Sequence, residues 1–225
     1  MQILVLMFFN IIVLKLYTIF AADMEILKEN IIQTANNQFQ RMGIRNVSID
    51  DVCSELRISK KTFYQYFNKK EDLVDAVIEH ERALSLAKLQ RNTKDKNAIE
   101  IFVYMVKELK KSAECTPKLF WHDVEKFYPA LFQKYNQIKQ DNIRNIFENN
   151  IKQGIAEEYY REDLDIELLS FFHTVQIRNT FEMMMQMQLK FSLKRITDFF
   201  IDMIIRFIAN EKGLKYIEEN LTDKK

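Results

Sequence analysis

The chain has 225 residues, 48% of them hydrophobic and 29% charged, with a formal net charge of +1. Its three glycines and two prolines are too few for a β-sandwich, barrel or meander, which needs a turn about every 8–12 residues. Three isolated glycines also exclude the glycine-rich phosphate loops of nucleotide-binding folds. The balanced charge names no partner, and Cys53 and Cys115 make neither a disulfide framework nor a zinc site. An apolar chain with so few breakers is expected to be all-α and to work in a reducing cytoplasm.

Residues 1–22 stand apart as an apolar stretch interrupted by Asn10 and Lys15. No basic residue precedes Lys15, which argues against a secretory signal. About 20 apolar residues is the lower limit for a spanning helix, and Lys15 falls inside the stretch. The stretch is therefore expected to be a dispensable extension or mis-start ahead of Met24, with a membrane anchor or a signal as the alternatives.

From Glu25 to Met42, Ile26, Leu27, Ile31, Ala35 and Phe39 form a stripe of helical period, and Gly43 ends it. Ser48 with Asp51 three residues on is a capping-box-like start to a short second helix, which buries Ile49, Val52, Cys53 and Leu56. Ser59 caps a third helix over 60–67, and a fourth runs from about 70 to 91. The polar run 91–97 reads as a linker. Helices follow at 97–112, 116–127 and 129–153, the last two opened by Pro117 and Pro129 and the last closed by Gly154. Two strongly apolar helices at 165–189 and 193–210 come next, then Gly213 and a charged tail. The domains are thus residues 1–22, 23–91 and 92–225.

Two short helices joined by the tight turn Leu56-Arg57-Ile58-Ser59 make a helix-turn-helix. Phe63 and Phe67 face the core; Lys60, Lys61, Thr62, Tyr64, Gln65 and Tyr66 face outward. Hydroxyls, amides and cations are what phosphate and base-edge contacts require. Arg57, Lys60, Lys61, Lys69 and Lys70 lie within 57–70 with no acid in the same stretch. A charge run is usually only a solvated face, but here it coincides with two outward tyrosines.

Residues 25–73 resemble the DNA-binding domain of TetR-type transcriptional regulators, most specifically in SKKTFYQYFNKKEDL (59–73). The resemblance implies an all-α protein with an N-terminal tri-helical DNA-binding domain and a larger helical domain that binds an effector and dimerises. It implies that Ser48 and Ser59 cap helices at the DNA backbone, and that Lys60, Lys61, Thr62, Tyr64 and Tyr66 touch phosphates or groove edges. Gln65 becomes the base reader and Lys70 a phosphate ligand. The family usually has glycine where this chain has Arg57, so Arg57 is expected to take a positive φ. It commonly has glycine where this chain has Lys61, which adds charge.

The resemblance further implies a homodimer through 165–210, a palindromic double-stranded operator and a small-molecule effector. Helices 165–189 and 193–210 are too apolar for one solvent face each, with Leu168, Leu169, Phe171, Phe172, Val175, Ile177 and Phe181 on the first and Ile196, Phe199, Phe200, Ile201, Ile204, Ile205 and Phe207 on the second, which agrees with the dimer. Tyr104, Met105, Trp121, His122, Phe127 and Tyr128 are candidate pocket residues. His80, His122 and His173 are scattered, so neither a metal cluster nor a nucleophile–base pair is expected; the chain reads as a non-enzyme without cofactor. A membrane-tethered sensor anchored by 1–22, with DNA binding secondary, is the alternative.

Overall fold

The computed structural model describes residues 2–115, 118–185 and 190–220, and of 2–21, 109–110, 112–115, 118, 181, 184–185 and 193 the backbone alone. Expectations about Pro117, residues 186–189 and the side chains of 1–21 lie outside the described residues. Among the described residues, regular structure is helical apart from an isolated antiparallel bridge between Tyr160 and Ala209. The helices are α1 (Gln2–Met42), α2 (Ile49–Leu56), α3 (Lys60–Phe63), α4 (Lys70–Thr93), α5 (Ala98–Cys115), α6 (Lys118–Phe127), α7 (Pro129–Ala156), α8 (Ile166–Met185), α9 (Leu193–Ile208) and α10 (Glu211–Asn220). The chain forms two compact units, Met1–Leu84 with Leu119–Tyr128, and Ser85–Lys118 with Pro129–Lys225. The boundary therefore falls inside α4 rather than after residue 91, and α6 belongs with the first unit. Among the described residues no helix is long and apolar enough to cross a membrane.

The first unit is built on α1. Ile31, Ala35 and Phe39 recur every four residues and are fully buried, as are Phe63, Val74 and Val77 from α3 and α4. Buried polar groups on α1 fix its neighbours: the Gln38 amide donates to the Glu55 carboxylate on α2, and the Asn36 amide to Glu81 on α4. Gly43 takes φ +80 and its N–H donates to the Phe39 carbonyl, which satisfies the helix end. A Cβ there would also lie 2.9 Å from both Asp123 Oδ2 and Leu119 Cδ2. Glycine is required at this position by backbone conformation and by the close approach of α6.

In the second unit Ala98, Ile99, Phe102, Phe147, Ile151, Tyr160, Ile204 and Ile208 form the core. A buried polar chain runs through it: the Tyr160 hydroxyl donates to Asn150 Oδ1 at 3.2 Å, and Asn150 Nδ2 donates to the Ala98 carbonyl at 2.7 Å. Two expectations are corrected here. Gly154 does not close α7, which runs on to Ala156; it is interior, and a Cβ would meet the Tyr160 ring at 2.0 Å. Gly213 does not precede a charged tail but lies buried in α10, where a Cβ would meet the Tyr159 carbonyl at 2.2 Å. Both glycines mark close packing inside helices, a signal that resembles a helix stop in sequence.

Candidate nucleic-acid interface

The interface is set by three caps. Ser48 Oγ accepts from the Asp51 N–H at 3.1 Å, and Asp51 Oδ2 accepts from the Ser48 N–H at 2.7 Å, so the capping box is complete. The Ser48 hydroxyl, which donates to Asp51 Oδ2 at 2.6 Å, then the Ser48 N–H and last the Lys70 charge hold the Asp51 carboxyl below its ordinary range. Arg57 ends α2 in the left-handed conformation, φ 55 and ψ 40, and its N–H reaches the Cys53 and Ser54 carbonyls. Ser59 Oγ accepts from the Thr62 N–H at 3.0 Å and opens α3. Caps on both helices leave little freedom in the angle between them.

The third helix is shorter than its pattern suggests. α-Helical structure covers only Lys60–Phe63. The chain then tightens into turns in which the Gln65 N–H donates to the Thr62 carbonyl and the Tyr66 N–H to the Phe63 carbonyl. Phe63 and Phe67 still point inward and are buried, their centroids 5.5 Å apart. Ser48, Ser59, Lys60, Lys61, Tyr64 and Gln65 are exposed, and Thr62 and Tyr66 are half-buried. Tyr64 stands edge-on to Phe63, its ring half in solvent. An exposed aromatic hydroxyl beside an exposed amide and a lysine can meet a groove edge and its flanking phosphates.

The five cations do not stand alike. Lys60 pairs with Asp50 of α2 at 2.9 Å and Lys69 with Glu71 at 2.6 Å, so the acids missing from 57–70 come from the neighbouring helices. The Thr62 hydroxyl shares a 2.8 Å hydrogen bond with Ser59. Arg57 and Lys61 are exposed and make no ion pair with the described residues. Lys70 is half-buried; its ammonium donates to the Ile44 carbonyl at 2.5 Å and lies 5.9 Å from the Phe39 ring centre. Burial lowers its pKa, more than Asp123 and Asp51 raise it. Lys70 thus braces the turn between α1 and α2, a role the sequence did not suggest.

A second brace comes from α6. Asp123 is buried and its Oδ2 accepts from the Arg45 N–H at 3.0 Å, while Phe120 and Val124 pack inward beside it. The Arg45 guanidinium stands 5.9 Å from the Phe127 ring centre. His122, next to Asp123, points out to solvent. The six candidate pocket residues therefore divide. Trp121, His122, Phe127 and Tyr128 belong to the first unit, and Tyr104 and Met105 to the second. There the Tyr104 hydroxyl accepts from Asn92 Nδ2 at 2.8 Å, and Met105 packs against the core. Among the described residues no group of three His, Cys, Asp or Glu side chains could hold a metal ion.

A capped two-helix turn with an exposed basic and aromatic surface defines a helix-turn-helix DNA-binding protein. Residues 31–77 match the family model of bacterial regulatory proteins, tetR family. No curated protein matches the chain. A transcriptional regulator from Saccharomonospora viridis in complex with choline is 21% identical with a TM-score of 0.65, over 83% of this chain and 100% of that one. A TetR transcriptional regulator from Chloroflexus aurantiacus is 14% identical with a TM-score of 0.62, over 84% and 98%. A gamma-butyrolactone receptor, an ArpA-like protein, is 13% identical with a TM-score of 0.52, over 88% and 95%. The chain carries a TetR-family helix-turn-helix domain, and the helical domain that follows completes the fold of such regulators.

Proposed function

We propose that the protein is a homodimeric, cytoplasmic transcriptional repressor that leaves a palindromic operator when a small molecule binds its second unit. The observation that carries the dimer is the apolar surface on α8 and α9. Phe199, Met203 and Phe207 make one stripe with i, i+4, i+8 spacing, and Phe199 is 70% exposed. Leu168, Phe171 and Phe172 of α8 add three more exposed apolar side chains. Exposed apolar side chains recurring along two helices are seldom left to water, and a two-fold pairing covers them with the same surface of a second copy. Two recognition elements then enter successive major grooves, roughly 34 Å apart.

Ser48, Arg57, Ser59, Lys60, Lys61, Thr62, Tyr64, Gln65, Tyr66 and Lys69 are the proposed DNA-facing set, and Lys70 supports it by bracing the turn between α1 and α2. Lys61 and Arg57 carry the phosphate contacts most directly, since neither is held by a carboxylate among the described residues. Lys60 and Lys69 first exchange Asp50 and Glu71 for phosphate. The choline complex and the butyrolactone receptor, both of this fold, support a small-molecule effector for the second unit. Release requires only that the effector bind one conformer better than the DNA-competent one. Chain connectivity supplies a route: α6, hydrogen-bonded to the α1–α2 turn through Asp123, is joined at both ends to segments of the second unit.

Sedimentation of the chain with and without Phe199→Glu and Phe172→Glu tests this reading. The wild type should run at twice the chain mass and bind a selected palindrome. The double variant should run as a monomer and bind that duplex at least tenfold more weakly. A wild-type monomer at micromolar concentration would remove the dimer and the palindrome together, and full operator affinity in the monomeric variant would remove the dimer's part in binding DNA.

A further inference from the structure

Two polar atoms in the second unit lie in the core without a partner. Ser170 is fully buried and His173 is 8% exposed, and among the described residues no group pairs with Ser170 Oγ or His173 Nδ1. They sit at i and i+3 on α8, so they share one face, one turn apart. That face meets aromatic rings from three other helices. The His173 ring stacks on Phe147 of α7 at 3.9 Å between centroids and on Phe200 of α9 at 5.6 Å, with Phe102 of α5 tilted at 6.5 Å. Buried hydroxyls and imidazoles nearly always find partners, because an unpaired one keeps its full desolvation cost. Here two occur one helical turn apart on the face whose His173 ring lies among three phenylalanines.

We infer that Ser170 and His173 are the polar anchors of a binding site for an uncharged, mostly apolar small molecule that carries a hydroxyl or carbonyl group. The rings of Phe102, Phe147 and Phe200 supply the apolar wall. The ligand is uncharged because the surrounding cluster consists of aliphatic and aromatic residues. A charged group packed against those side chains would exchange its hydration for apolar contacts. Its polar group is small and single, because the two atoms are one helical turn apart. Ser170 Oγ can donate or accept, and the neutral imidazole can present either at Nδ1, so one hydroxyl or carbonyl can engage both. Such a site is mostly apolar with a few convergent polar groups, as small-molecule sites generally are. Met105 packs against this same core.

This rests on the ligand-responsive reading above, and its test separates the two. Titration calorimetry of the full chain would compare p-cresol, 2-phenylethanol and 1-naphthol with toluene, ethylbenzene and naphthalene, and with the anion 1-naphthoate. At least one polar probe should bind tenfold or more tighter than its hydrocarbon and tighter than 1-naphthoate. Binding should move the Nδ1 resonance of His173 in histidine-labelled protein. In the Ser170→Ala, His173→Phe double variant the polar advantage should fall below twofold while the hydrocarbon still binds. Without probe, each single variant should melt higher than the wild type, by about 2–4 °C, because an unpaired buried group has been removed. Equal binding of alcohol and hydrocarbon overturns the inference, as does preference for the anion, absence of binding by every probe, or a polar advantage that survives in the double variant. A lower melting temperature in both single variants also overturns it. DNA affinity is read separately: a probe that binds with the expected polar advantage yet leaves DNA affinity unchanged upholds the site and removes its effector role. A compound that releases DNA equally from wild type and double variant keeps the effector role and overturns the site.

Discussion

Replacing Arg57 separates backbone strain from DNA contact at one position. Its φ of 55 puts Cβ where L-residues are disfavoured, at about 1–2 kcal/mol. Glycine removes that strain but adds unfolded-state freedom worth about 0.4–1 kcal/mol. The comparison to make is Arg57→Gly against Arg57→Ala, because both delete the guanidinium and only alanine keeps the Cβ. The N–H bonds to the Cys53 and Ser54 carbonyls are backbone bonds and survive both changes. Arg57→Gly should therefore be the more stable by about 1 kcal/mol, a difference in melting temperature of about 2–4 °C. Both variants should lose the same DNA affinity, with the salt slope falling by about 0.9 per protomer for one lost phosphate contact. Circular dichroism melts and fluorescence anisotropy across a salt series measure the two effects. If Arg57→Gly melts at or below Arg57→Ala, the left-handed cap carries no strain and the argument from φ fails. If the salt slope stays unchanged in both, Arg57 lies off the DNA backbone.

Three further outcomes follow from the same geometry. Gln65→Ala should relax preference at one base-pair position and cost about 1–3 kcal/mol on the specific duplex, whereas Lys61→Met should weaken specific and random duplex alike; equal losses from Gln65→Ala on every sequence would make Gln65 a backbone contact. Asp123→Ala removes the acceptor for the Arg45 N–H, so it should lower the unfolding free energy by about 1–3 kcal/mol, with Asp123→Asn closer to wild type in urea melts. Burial holds the His173 pKa down to about 4. The unfolded chain therefore binds the extra proton first as pH falls below its ordinary 6.5. Stability should drop between pH 6.5 and 4, by about 2 kcal/mol at pH 5 relative to pH 8, and His173→Phe should flatten that limb in pH-dependent urea unfolding.

Much of the fold was legible because it is local. Helical periodicity from Ile31 to Phe39, the Ser48–Asp51 box, Ser59 before Lys60, and Pro129 at the first position of α7 each act within a few residues, and each appears in the structure as read. Arg57 was legible only through the resemblance: the family usually has glycine in this turn, so the positive φ was expected to pass to arginine, as it does. Where the sequence signal had two physical meanings, reading failed. A glycine after a long helical run is a stop when its φ is positive, as at Gly43. It is a packing device when a ring or carbonyl needs the space, as at Gly154 and Gly213. Nothing local marks Gly213 as the second case, since the Tyr159 carbonyl against which it packs is brought to it by the tertiary fold.

The site divides along the same line. The outward set Lys60, Lys61, Tyr64 and Gln65 follows from the spacing of Phe63 and Phe67 alone. Lys70 does not, because what decides its role is a carbonyl 26 residues away in the chain. Asp123 is a stronger case: it lies 78 residues from the N–H that it accepts. From sequence it is a surface acid beside a histidine, and burial turns it into the brace of the turn that leads into α2. His173 shows the same inversion from the other side. In an apolar helix a lone histidine reads as scattered, because periodicity places it on a face without saying what covers that face. Only the convergence of α5, α7 and α9 on that face makes its unpaired nitrogen costly. A cost that recurs at Ser170, one turn away, points to a group that enters and leaves rather than to a packing fault.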